Sequence, residues 1–116
     1  MRSQKLDLTT RKTKEGQAIK VTVEVMSWLK EDFGHQGWDK LVIEETVSPG
    51  TSVMDLLRVI ADKHPRFGQK AFAKNQDFLD YCAVIRNGTF LSALADLNTE
   101  LQDGDNIKLS PGFYGG

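Results

Sequence analysis

The residues best placed to do chemistry lie at the end of the chain, in Asp103-Gly104-Asp105-Asn106-Ile107-Lys108-Leu109-Ser110-Pro111-Gly112-Phe113-Tyr114-Gly115-Gly116. The stretch reads as a tight turn, a short apolar strand, a proline stop and a Gly-Gly end, so it holds a glycine carboxylate out to solvent. No nucleophile–base pair, metal cluster or phosphate loop is visible elsewhere, and no catalytic residue is expected. Cys82 is the single cysteine, which rules out an internal disulfide or a cysteine cage for metal within one chain. It lies in an apolar run and reads as a buried, inert thiol. With only His35 and His64 beside it, no metal site is expected. His35 has no catalytic companion nearby, and Gly34-x-x-Gly37 is too short a pattern for a phosphate loop. Asp103-Gly104-Asp105 looks like a fragment of a calcium loop, but the downstream glutamate is missing, so a turn is expected instead.

A chain of 116 residues fits one domain. Its hydrophobic content of 40% and charged content of 27% fit a globular protein with a modest core. The net charge is -1, from 15 basic and 16 acidic side chains. That balance argues against nucleic acid as the main partner, because phosphate binding needs a basic excess. No apolar run approaches the roughly 20 residues that span a bilayer, and no apolar signal segment opens the chain, so no membrane partner is expected. A reducing, cytoplasmic location is the expectation.

The elements that must position the tail follow from periodicity. Residues 1–18 carry Arg2, Lys5, Arg11, Lys12 and Lys14 and read as a flexible N-terminal arm, with a brief strand through Leu6 and Leu8 as the alternative. The domain proper is expected over residues 19–116. Ile19, Val21, Val23 and Val25 alternate with polar residues, the mark of a half-buried strand expected to run on to Leu29. Residues 30–39 read as a loop whose Phe33 and Trp38 either contact a partner or fold back over the sheet edge. A second strand, Leu41 to Val47, closes a hairpin. Ser48-Pro49-Gly50 is a turn, and Ser52 with Asp55 forms a capping-box start for a helix. Val53, Leu56, Leu57, Ile60 and Ala61 line one face of it. Pro65 should end it at His64, where a helix dipole favours the charged imidazole. Residues 66–80 are either a short second helix or an irregular excursion. Tyr81 to Arg86 is strand-like, Asn87-Gly88 marks a two-residue hairpin turn, and Thr89 to Leu91 returns as a short strand. The final strand is anchored by Ile107 and Leu109 and stopped by Pro111. Strands and one main helix in this order make an α+β domain.

The order resembles ubiquitin-like β-grasp domains, specifically the ThiS/MoaD sulfur-carrier family. The similarity rests on Ser52-Val53-Met54-Asp55-Leu56-Leu57, the Asn87-Gly88 turn, and Leu101 through Pro111 before Gly115-Gly116. The helix end Lys63-His64-Pro65 looks more like the MoaD branch. The resemblance implies a mixed sheet with one main helix packed on one face, and a carrier that is not an enzyme. It implies that Gly116 is the site of adenylation and thiocarboxylate formation. A partner adenylating enzyme would use ATP to join the carboxylate to AMP, and a sulfurtransferase would supply the sulfur that displaces AMP. No cofactor is expected on the chain itself. The acceptor implied is a molybdopterin synthase large subunit.

Tail recognition is expected at Gly112, Phe113, Tyr114 and Gly115. Glycines lack Cβ, so such a tail can enter a narrow channel. Phe113 and Tyr114 depart from the smaller residues common in the family; either they need pockets in the partner or they pack against the sheet. Two other readings stay open. Gly116 could be joined to lysines of other proteins, as in ubiquitin-like modifiers, or the domain could be an interaction module with an inert tail.

Overall fold

The alternation in Ile19–Val25 does what period two requires: Val21, Val23 and Val25 turn inward and are buried, while Lys20, Thr22 and Glu24 stay exposed or half-buried. This strand is β1 (Ile19–Val25). The structure, a computed structural model, describes residues 17–112. The arm expected over residues 1–18 therefore falls almost wholly outside the described residues, as do Phe113, Tyr114, Gly115 and Gly116. β1 pairs antiparallel with β2 (Leu41–Val47), in a register that sets Val23 opposite Ile43 and Val21 opposite Glu45.

The expected run of β1 to Leu29 does not occur. Ser27, at φ 58°, turns the chain out of the extended region, and Ser27–Phe33 wind into a 3₁₀ helix. Three-residue winding puts Leu29 and Asp32 on one side, where both are buried. The segment read as a loop therefore begins as a helix, closed by Gly34 in the left-handed region at φ 77°. Its two aromatics part ways. Phe33 packs on Phe67 with ring centroids 4.8 Å apart, whereas Trp38 is fully exposed.

α1 (Val53–Lys63) begins at the expected capping box. Ser52 Oγ accepts from the Asp55 N–H at 3.0 Å, and the Asp55 carboxylate accepts from the Ser52 N–H at 3.2 Å. Val53, Leu56, Leu57 and Ile60 are fully buried. Each contributes about 1.5–3 kcal/mol, against about 1 kcal/mol for the cap, so the apolar face dominates. Pro65 opens α2 (Pro65–Ala71), where its missing N–H costs nothing. α3 (Phe78–Tyr81) follows, so residues 66–80 take the helical option at both ends, and Tyr81 closes a helix instead of opening a strand.

His64 sits between α1 and α2 with its ring 4.7 Å from that of Phe33. Burial lowers its pKa; Glu45 opposes this and Lys63 adds to it. His64 is the helix-terminal residue expected, but its neutral imidazole is favoured because burial disfavours the charged ring.

β3 (Cys82–Arg86) turns through Asn87 at φ 49° and Gly88 at φ 86°, the expected two-residue turn, into β4 (Thr89–Phe90), one residue shorter than the expected Thr89 to Leu91. A second 3₁₀ helix, Leu94–Asn98, leads to β5 (Asn106–Pro111). β5 inserts between β1, to which it is parallel, and β3, to which it is antiparallel. The described strands thus run β2-β1-β5-β3-β4. Ile107, Leu109, Val84 and Cys82 join the inward valines and the buried face of α1 in one core. This is the α+β, mixed-sheet arrangement of a ubiquitin-like β-grasp, with the main helix on one face.

Candidate functional site

Both ends of β5 are tied down, and together they determine where the chain's last segment starts. At the entry, Gly104 at φ 87° makes the turn that the Asp103-Gly104-Asp105 sequence requires. The turn is fastened to the start of β1: the Lys20 N–H donates to Asp103 Oδ1 at 2.8 Å, and the Gly104 N–H donates to the Lys20 carbonyl at 2.8 Å.

Asp105 is buried beneath this turn and gathers donors from three residues on two segments. Arg86 reaches Oδ2 through Nη2 at 2.7 Å and Nε at 3.1 Å. The Gln102 N–H donates at 2.8 Å and the Asn87 amide at 2.9 Å. Burial alone would push the Asp105 pKa up, but the Gln102 N–H, the Asn87 amide and the Arg86 guanidinium together hold it below the usual carboxylate value. A carboxylate so occupied is a structural bolt, and no group of three or more potential metal ligands occurs among the described residues. Arg86 also donates to Thr99 Oγ1 at 3.0 Å and to the Glu100 carbonyl at 2.6 Å, tying the β3–β4 hairpin to the turn. Sequence reading missed Arg86; its position directly before Asn87-Gly88 was the available signal.

At the exit, β5 pairs with β3 up to Pro111 opposite Cys82. The next residue, Gly112, donates its N–H to the Tyr81 carbonyl at 2.9 Å. Its Cα lies so close to the end of α3 that an added Cβ would collide with the Asp80 carbonyl oxygen and fall 2.9 Å from that of Leu79. Gly112, expected as part of the recognised tail, is thus seated against the protein's own backbone.

The end of α3 is itself held. The Tyr81 hydroxyl donates to Asp32 Oδ2, and Lys70 Nζ donates to Asp32 Oδ1 at 3.0 Å. Burial first, and then the bond to Asp32, raise the Tyr81 pKa, so the hydroxyl keeps its proton and stays a donor. The half-exposed ring of Trp28 meets Tyr81 edge-on at 6.2 Å.

The remaining sequence candidates are dispersed. Cys82 is fully buried, and burial raises its pKa far above neutrality, so it stays an inert thiol. Among the described residues, the His35 ring meets Asp39, at 3.3 Å. No described helix is long and apolar enough to cross a membrane. Gly116, Gly115, Tyr114 and Phe113 lie outside the described residues.

No curated protein sequence matches the chain significantly. Solved structures that match include small archaeal modifier protein 1 from Methanosarcina acetivorans, at 24% identity and a TM-score of 0.65, covering 87% of this chain and 100% of that one. The same modifier from Haloferax volcanii matches at 23% identity and a TM-score of 0.65, covering 84% and 99%. A Pyrococcus furiosus protein named as molybdopterin converting factor subunit 1 matches at 24% identity and a TM-score of 0.55, covering 81% and 98%. Identities this low carry the fold alone.

A family model described as the ThiS family matches residues 23–116. Small carriers of the ThiS/MoaD type are non-catalytic and work with activating enzymes and synthase subunits. The match runs from the middle of β1, through the helix and the Asp105 turn, to the terminal glycines, so this chain belongs to the ThiS family.

Proposed function

We propose that this chain is a sulfur carrier whose working group is the α-carboxylate of Gly116. The observation that carries the reading is the placement of β5: it runs through the middle of the sheet and brings the chain, at Gly112, to within four residues of Gly116. A partner adenylating enzyme transfers AMP from ATP to the carboxylate, releasing pyrophosphate. A carboxylate is a poor acceptor, whereas the acyl adenylate has a good leaving group on an electrophilic carbonyl. A sulfide equivalent from a sulfurtransferase then forms the C–S bond as the C–O bond to AMP breaks, leaving a thiocarboxylate on Gly116. The chain itself holds no cofactor, works in the cytoplasm, and hands its sulfur to a molybdopterin synthase large subunit. The Lys63-His64-Pro65 helix end and the name of the Pyrococcus furiosus neighbour support that acceptor.

The test incubates the full chain with its adenylating enzyme, ATP and a sulfur donor, followed by intact-mass measurement. One oxygen-to-sulfur exchange at Gly116 is expected. No exchange, while a control carrier is converted, sinks the reading.

The two modifier structures among the matches favour a second reading, in which the same carboxylate is joined to lysines of other proteins. A ladder of tagged conjugates that disappears on deleting Gly115 and Gly116 supports it; its absence from denaturing gels excludes it.

A further inference from the structure

We infer that the carbonyl-lined seat of Gly112 is a positioning device: it fixes where the reactive tail leaves the fold and so how far Gly116 reaches into a partner. The inference rests on the carrier reading above. Three observations converge on it.

First, the Gly112 N–H bond to the Tyr81 carbonyl is only the next rung after Pro111 opposite Cys82, and a rung of that kind needs a main-chain N–H but not a glycine. Second, the groups that would collide with a Cβ at 112 are the main-chain atoms of Leu79 and Asp80. Main-chain atoms cannot swing aside as a side chain can, so any other residue must displace the chain. Third, the end of α3 is locked by a network that takes no part in the sheet: the Tyr81 hydroxyl and Lys70 bind opposite oxygens of buried Asp32. The Tyr81 carbonyl, held in this way, accepts the Gly112 N–H.

Four residues from Gly112 to Gly116 span at most about 13–14 Å when extended. A tether of four residues has few torsions with which to absorb a shift at its root. A misplacement of about 1 Å at a reacting group can cost a hundredfold in rate. Gly112 is therefore a positioning residue.

The test uses the full chain and its adenylating enzyme. It reads kcat and KM for pyrophosphate release with the carrier varied, and amide exchange at Gly112 by NMR. The wild-type Gly112 amide is expected to exchange at least about tenfold more slowly than a free amide; unprotected exchange overturns the inference. Gly112→Ala is expected to lower kcat about tenfold or more with KM within about threefold, because the body still docks and only the tail is displaced. An unchanged kcat, or a loss carried by KM alone, overturns it.

Should Gly112→Ala lose the amide dispersion of a folded chain, Tyr81→Phe is read in its place. It keeps every main-chain atom of the seat and removes only the bond to Asp32. Faster Gly112 exchange with kcat lowered about threefold supports the inference, and no change in kcat overturns it. A wild type that releases no pyrophosphate sinks the carrier reading and this inference together; an active wild type with an unaffected Gly112→Ala sinks only the positioning role.

Discussion

Asp105 shows why paired acidic residues around a glycine need not be a metal loop. Its oxygens are taken by Arg86, Asn87 and the Gln102 N–H, so the carboxylate is satisfied by the fold itself. Because its folded-state pKa lies below the usual carboxylate value, its contribution to stability is complete above that value and is lost as pH falls through the folded-state pKa. Arg86→Ala removes one of the groups that hold it down. The variant is expected to lose about 1.5–3 kcal/mol at neutral pH, and its remaining acid loss should begin at higher pH. Urea midpoints measured from pH 7 down to pH 3 check both. Phe33 and Trp38 illustrate the limit of composition at this scale. Both are large aromatics on one short segment, yet one packs on Phe67 and the other faces solvent. Nothing within the segment distinguishes them, since the difference lies in what α2 places beside Phe33.

At the scale of elements, legibility tracked the range of the interactions. The start of α1 was readable because Ser52 and Asp55 satisfy one another three residues apart, and its buried face repeats at the helical period. Ser52→Ala is expected to cost about 1 kcal/mol, seen as a lower urea midpoint with an unchanged m-value. The Asn87-Gly88 hairpin was equally local. The end of β1 was not, because the apolar residues Met26, Trp28 and Leu29 suit a strand as well as a 3₁₀ turn. Pairing with β5 ends at the Met26 N–H, which donates to the Leu109 carbonyl at 2.9 Å, and the 3₁₀ turn that follows carries Leu29 into the core. The α3–Gly112 contact was likewise invisible, since it joins a four-residue helix to a residue some thirty positions later.

Across the whole molecule, β5 joins parts of the chain that sequence keeps far apart: Asn106 bonds Thr22 across 84 positions. Ile107 and Leu109, both fully buried, connect the β1–β2 hairpin to the β3–β4 hairpin through the core. Ile107→Ala is expected to destabilise the domain by about 2–5 kcal/mol in one cooperative transition, not by fraying the end of the chain. Coincident circular-dichroism and fluorescence transitions, shifted together, check this; a transition confined to β5 contradicts it. The sequence by itself determined the centres of the strands, the main helix, the three glycine turns and the Gly-Gly end, because period, capping and turn chemistry act between residues a few positions apart. Only the tertiary structure decided the insertion of β5 between β1 and β3, the Arg86–Asp105 bolt and the seat of Gly112. Those depend on which distant segments meet, and that is settled by burying one shared core rather than by any local preference.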